Sequence, residues 1–123
     1  SDGTDWTSAA GGADTSLSNL SSTGEQMVCK AWVNFDGTGT VAINDSHNVS
    51  SITDNGTGDY YVNFSNNMAN SDYAVGTSNS DGTANGASTQ NSTASTSSIR
   101  LMTRNSSGTI IDTSRPHAIV FGD

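Results

Sequence analysis

Val28-Cys29-Lys30-Ala31-Trp32-Val33-Asn34-Phe35, with Asp36-Gly37-Thr38-Gly39 and Thr40-Val41-Ala42-Ile43-Asn44 after it, is the stretch on which the fold class turns. Cys29, Ala31, Val33 and Phe35 share one face while Lys30, Trp32 and Asn34 share the other, a period of two that belongs to a strand. Gly37 and Gly39 supply the positive backbone angles of a tight reversal, and Val41 and Ile43 resume on one face. The stretch predicts a β-hairpin.

The same grammar continues downstream. Residues 47–53 carry Val49 and Ile52, residues 54–58 turn, and residues 59–65 return with Tyr60, Val62 and Phe64 on one face. Val49 and Ile52 are three apart and cannot share a strand face, so a bulge or break is expected near Ser50-Ser51. Residues 73–78 align Tyr73, Val75 and Thr77. Residues 99–104 alternate Ile99, Leu101 and Thr103 with Arg100, Met102 and Arg104. A turn at 105–108 leads into 109–112, and 117–122 close the chain behind Pro116, which is expected to start that strand. Ile119 and Phe121 oppose Ala118 and Val120, so both faces of this last strand are apolar. It is expected to be central or to touch a second subunit. About seven or eight short strands at this spacing, with helix nearly absent, predict an all-β, antiparallel β-sandwich.

Two stretches lack this pattern. Residues 1–26 are rich in Ser, Thr and Gly, with Trp6, Leu17 and Leu20 as their only large apolar anchors, and read as a connector to a domain spanning 27–123. Residues 79–98 contain no Val, Leu or aromatic residue and no Ile. So long a polar run inside one domain reads as a functional or mobile loop.

Composition narrows the function classes. Ser, Thr, Asn and Gly make up 63 of 123 residues, while Leu, Ile, Val and Phe make up 19. So thin an apolar share predicts copies that complete one another's interior, an obligate oligomer. Twelve acids against four Lys and Arg give a formal charge of −8. That balance is wrong for the phosphate backbone of a nucleic acid and for an anionic membrane surface. No apolar run approaches the length of a membrane span, and the chain reads as soluble.

The chemistry-bearing residues are few. Cys29 has no partner in the chain, which removes an internal disulfide, and its setting reads as a small buried thiol. His47 and His117 lack neighbours at ligand spacing, so no zinc site is nominated. Asp36-Gly37, Asp54-Asn55-Gly56 and Asn79-Ser80-Asp81-Gly82 hint at calcium but lack the spacing of a calcium loop, and Asp or Asn beside Gly is the ordinary turn pair. No cofactor is implied. Serines abound, but neither histidine sits in a nucleophile motif, and Asp59 with Asp72 is one arbitrary carboxylate pair among many. No enzyme is predicted. Trp32 and Tyr61 lie on the polar-alternate faces of their strands. They are sugar-stacking platforms or cover at a subunit contact, and the scarcity of apolar residues favours the second. Arg100 and Arg104 share a face and are expected to pair with nearby Asp residues or to meet an acidic glycan.

Residues 30–43, and Asn48-Val49-Ser50-Ser51-Ile52-Thr53-Asp54-Asn55-Gly56-Thr57-Gly58-Asp59-Tyr60 after them, resemble the C-terminal domains of bacteriophage tail-fibre proteins of the marine and cyanobacterial phage type. The likeness continues through Asn66-Asn67-Met68-Ala69-Asn70-Ser71-Asp72-Tyr73-Ala74-Val75, Arg104-Asn105-Ser106-Ser107-Gly108 and Val120-Phe121-Gly122-Asp123. Leu17-Ser18-Asn19-Leu20-Ser21-Ser22-Thr23-Gly24 is similar to the segment joining a fibre shaft to such a domain. The resemblance implies a homotrimeric receptor-binding knob on the virion, attaching to a host cell-surface receptor, often a polysaccharide. Within that reading Asn79, Asp81, Asn85, Gln90 and Asn91 are the candidate receptor-binding residues. Leu17, Leu20, Met27, Trp32 and Phe121 are the candidate subunit-interface residues. The competing readings are a virion structural subunit for decoration or fibre attachment, and a bacterial carbohydrate-binding module.

Overall fold

A computed structural model describes residues 20–80 and 88–123. They form a single helical turn, α1 (Ser22–Gln26), and eight strands: β1 (Ala31–Asp36), β2 (Ala42–His47), β3 (Val49–Asp54), β4 (Asp59–Phe64), β5 (Ala74–Asn79), β6 (Ser88–Ala94), β7 (Ser98–Arg104) and β8 (Pro116–Phe121). The first sheet has the order β2-β1-β8-β5 and the second the order β3-β4-β7-β6. Every pairing is antiparallel, as in the expected β-sandwich.

The alternation read from the sequence sets which side chains meet. Ala31, Val33 and Phe35 from β1 and Ala118 and Val120 from β8 are buried against Tyr60, Val62 and Phe64 from β4 and Ile99 and Leu101 from β7. The four inner strands thus supply nearly all of the core, and each large side chain buried there contributes roughly 1.5–3 kcal/mol. Two edge-to-face pairs join the layers: Phe35 with Tyr60, ring centroids 5.1 Å apart, and Phe64 with Tyr73, 5.8 Å apart. Threonine fills what apolar residues do not. Thr103 and Thr113 are fully buried and Thr89 nearly so. Thr103 Oγ1 donates to the Ile111 carbonyl at 2.5 Å, and Thr89 Oγ1 donates to the Ser78 carbonyl at 3.0 Å. Among the described residues no buried side-chain nitrogen or oxygen lacks a partner, so these hydroxyls sit in the interior without a desolvation penalty.

Several sequence expectations are revised. The run expected as one strand over 47–53 breaks at Asn48, where the chain passes from the first sheet to the second. Asn48 takes a left-handed backbone angle, φ 56°, which Asn tolerates better than most residues. Its side chain holds the corner, donating to the Lys30 and Asn66 carbonyls, both at 3.2 Å, and accepting from the Asn66 N–H at 2.8 Å. The bulge expected near Ser50-Ser51 is present between Val49 and Ser51. The polar run 79–98 is not one loop, because residues 88–94 form β6, paired along β7. Its β pairing comes from a neighbour's backbone and from Thr89, not from apolar alternation. Residues 109–112 make only an isolated bridge, Ile110 to Arg104. Cys29 lies before β1 and is half-buried, with Sγ donating to the Ala31 carbonyl at 3.1 Å. The end of the expected connector forms α1, capped by the Ser21 hydroxyl accepting the Gly24 N–H at 3.0 Å.

The connections divide between two poles. At one pole the chain arrives through α1 and β8 ends. There the Gln26 amide donates to the Asp123 carboxylate, Lys30 Nζ donates to the Gly122 carbonyl at 2.7 Å, and the Ala69 N–H donates to the Asp123 carbonyl at 2.6 Å. The opposite pole carries the β1–β2 and β3–β4 turns, the end of β5, the start of β6 and the long β7–β8 connection.

Candidate functional site

Three surfaces hold the residues singled out from the sequence. The first is the loop pole. Gly37 reaches its position by lacking a side chain, since a Cβ there would lie 2.3 Å from the Tyr60 hydroxyl. That hydroxyl lies 2.9 Å from both the Gly37 carbonyl and the Asp112 carboxylate, so its one proton serves two acceptors. The Gly58 N–H donates to the same carboxylate oxygen at 2.8 Å, from a turn whose left-handed φ of 60° suits glycine. Burial, with Asp112 reinforcing it, pushes the Tyr60 hydroxyl well above its ordinary range. The network locks three connections into one floor. Asn79 belongs to it: its amide donates to Thr113 Oγ1 at 2.7 Å and reaches Thr89 Oγ1 at 3.4 Å. Of the other receptor candidates, Asn91 is exposed on β6. Gln90 is described through its backbone, which pairs with Met102. Asp81 and Asn85 lie outside the described residues.

The second surface is the outer face of the first sheet. Register aligns Trp32, Ile119 and Gly76 in one row across β1, β8 and β5, with Phe121 opposite Ala74 two residues along. Ile119 is 47% exposed and Phe121 36%, on a central strand where an apolar side chain ordinarily finds cover. Between β5 and β8 lies a depression of about 260 Å³ lined by Gly76, Thr77, Ser78, His117, Ala118 and Ile119. The His117 ring is held between two hydroxyls, Ser78 Oγ at 3.0 Å from Nδ1 and Ser80 Oγ at 3.1 Å from Nε2. Trp32 and Phe121, two of the interface candidates, therefore share this face. Leu20 and Met27 flank α1 at the pole where β8 ends, and Met27 is 75% exposed. Leu17 lies outside the described residues. Ile119 was absent from the interface candidates, although the doubly apolar last strand had signalled it.

The third surface is the outer face of the second sheet. Tyr61 on β4 lies opposite Thr53 on β3 and Arg100 on β7, and Arg100 lies opposite Thr93 on β6. Arg100 grips Asp59 side-on, Nε to Oδ1 at 2.9 Å and Nη2 to Oδ2 at 2.6 Å, the bidentate geometry a planar guanidinium allows. Its Cζ stands 5.9 Å from the centre of the Tyr61 ring. The Arg100 hydrogen bond holds the Asp59 carboxyl below its ordinary value, against burial, which acts the other way. The expected pairing of Arg100 with an Asp is thus present. The Asn63 amide donates to Ser51 Oγ at 3.1 Å and to Thr53 Oγ1 at 2.9 Å.

The remaining nominations resolve as local structure. Asp36 Oδ1 accepts from the Thr38 N–H at 2.8 Å and Asp54 Oδ1 from the Gly56 N–H at 3.0 Å, which closes two turns. Asp59 begins β4 at the loop pole, whereas Asp72 precedes β5 at the other, so they face no common substrate. No group of three or more His, Cys, Asp or Glu suited to a metal ion occurs among the described residues. Comparisons with protein families, with curated proteins and with solved structures find no match for this chain.

Proposed function

We propose that this chain is the receptor-binding knob of a bacteriophage tail fibre, a homotrimer on the virion that attaches to a host-surface receptor without catalysis. The observation that carries the reading is the opposition of the two poles. The connector comes in beside the end of β8, and the β1–β2, β3–β4 and β7–β8 connections lie at the other pole. A domain carried on a shaft through its connector presents its opposite pole outward, and there the Tyr60 hydroxyl, the Gly37 carbonyl, the Gly58 N–H and the Asp112 carboxylate tie three connections into one fixed surface. The uncovered face with Ile119, Phe121 and Trp32 is the surface available to neighbouring copies. Three copies acting together strengthen individually weak polar contacts to a receptor.

The test is adsorption of the labelled protein to a panel of marine and cyanobacterial strains. The comparison variant has residues 81–87 replaced by a Gly-Ser linker of equal length. This replacement spares β6, which deletion of the whole run 79–98 would remove. The reading expects strain-selective binding that the linker variant loses while keeping its β-rich spectrum and its mass. Unselective adsorption, or binding untouched by the replacement, would overturn it. A protein that adsorbs to no strain but joins purified virion proteins would instead be a structural or fibre-attachment subunit.

A further inference from the structure

We propose that the outer face of the second sheet is a saccharide subsite, centred on Tyr61 and completed by Arg100, Asp59 and Asn63, whose ligand is a neutral pyranose. The inference rests on the receptor-binding reading for its biological setting, and on the geometry of this face for its chemistry.

Tyr61 supplies a half-buried ring, with the Arg100 guanidinium over one side of it, on a face whose neighbouring side chains are polar apart from Met102. An aromatic ring with a polar edge is the side chain suited to the C–H face of a sugar, whose rim is hydroxylated. Around it stand groups already fixed in place. Asp59 takes Nε and Nη2 of Arg100, which fixes the guanidinium plane and leaves Nη1 as its remaining donor nitrogen. The Arg100 side chain is 31% exposed and that of Asp59 14%. Asn63 uses its side-chain amide nitrogen on the Ser51 and Thr53 hydroxyls, which fixes its orientation and leaves the side-chain oxygen Oδ1 as an acceptor. Tyr61 and Asn63 are two residues apart on β4, about 7 Å.

Charge selects the ligand class. The four Lys and Arg of the chain face twelve acids, and the Arg100 charge is already matched by Asp59 at hydrogen-bond distance. An acidic sugar would find the Arg100 charge already matched and a protein of net charge −8 behind it, with Arg104 further along β7 as the other cation of this face. A neutral sugar meets a paired donor and acceptor, which suits adjacent hydroxyls. Of the two expectations for Arg100, a nearby Asp or an acidic glycan, the first is the one the structure shows. The subsite adjoins the loop pole, because Asp59 directly follows the β3–β4 turn.

The experiment is a nitrogen-15 correlation titration of the protein with maltotriose, cellotriose, mannotriose and chitotriose, and with trigalacturonate as the acidic comparison, into the millimolar range. The proposal expects at least one neutral trisaccharide to shift the Tyr61, Asn63 and Arg100 signals. Tyr61→Ala should weaken that binding about tenfold, Tyr61→Phe should retain it, and trigalacturonate should bind more weakly. The correlation spectrum itself reports whether each variant is folded. Absence of shifts on this face with all four neutral sugars, binding unaffected by Tyr61→Ala, or preference for trigalacturonate would each overturn the proposal. Cell adsorption that survives Tyr61→Ala but is lost on replacing residues 81–87 would remove the subsite and leave the receptor-binding reading standing.

Discussion

Phe35 and Tyr60 meet edge to face across the sandwich, ring planes 76° apart, so the first strand of one sheet and an inner strand of the other share their largest contact. The Tyr60 hydroxyl then continues to the Gly37 carbonyl and the Asp112 carboxylate. Tyr60→Phe keeps the ring contact and strips the hydroxyl from two acceptors. We expect a loss of about 1–3 kcal/mol in urea unfolding, against about 3–5 kcal/mol for Tyr60→Ala, which also leaves a cavity. The pH dependence has a definite sign. The unfolded chain ionises this tyrosine near its ordinary value of 10.0, while the folded protein retains the proton to higher pH. Its contribution is therefore complete below about pH 10 and declines as pH rises above that. Tyr60→Phe should flatten this alkaline limb.

Thr89 is the inward anchor of β6, a strand with no large apolar residue. Its hydroxyl donates to the Ser78 carbonyl, and its own carbonyl accepts from Thr77 Oγ1 at 2.6 Å. Thr89→Val keeps the shape and loses the hydroxyl, leaving the Ser78 carbonyl without that donor. The expected cost is about 1–3 kcal/mol. It should be accompanied by faster amide exchange along β6 than along β7, measured by hydrogen exchange. Equal protection of the two strands in the variant would show that the β6–β7 ladder suffices.

Asp59 should titrate below its ordinary value of 3.8 because Arg100 bonds its charged form. A carboxyl-carbon titration followed by NMR checks this directly. In Arg100→Gln the largest lowering influence is gone while burial persists, so the midpoint should rise. The linked stability is present above about pH 4 and is lost as pH falls through the lowered folded value. Salt should weaken the effect, since both side chains are partly exposed.

How much of this was legible follows from where each signal lives. The strands whose side chains alternate between core and outside, such as β1 with Ala31, Val33 and Phe35, announced themselves through period two. β6 did not, because its inward residue is a threonine satisfied by hydrogen bonds to β5, and a hydroxyl carries no periodic signal. The corner at Asn48 was hidden for a related reason. His47 and Val49 read as parts of one strand, and only the partners of the Asn48 amide, Lys30 and Asn66, reveal the change of sheet between them. The Asp59–Arg100 pair was legible as a type of contact but not as a particular partnership, since the register of β4 on β7 fixes it and no turn joins those two strands. Asn79 was read as a surface polar residue, whereas its amide reaches the buried Thr113 hydroxyl.

The exposed apolar row gives the sharpest test of assembly. Ile119 and Phe121 project from β8, a central strand, beside Trp32 and over the shallow floor at Gly76. In a chain so poor in large apolar residues, leaving these in water forfeits roughly 1.5–3 kcal/mol per side chain that burial against a neighbour would recover. The Ile119 side chain is outside the monomer core, so Ile119→Asp should leave the sandwich folded and destroy only the contact, where three like charges would converge. Sedimentation at about micromolar concentration, a range where a stable assembly persists, should give three times the 12.6 kDa chain mass for the unaltered protein. Ile119→Asp should give the single-chain mass with an unchanged β-rich spectrum. An exposed control, Thr93→Asp on the outer face of the second sheet, should remain trimeric. A monomeric unaltered protein would remove the trimer, and a trimeric Ile119→Asp would move the interface to another surface.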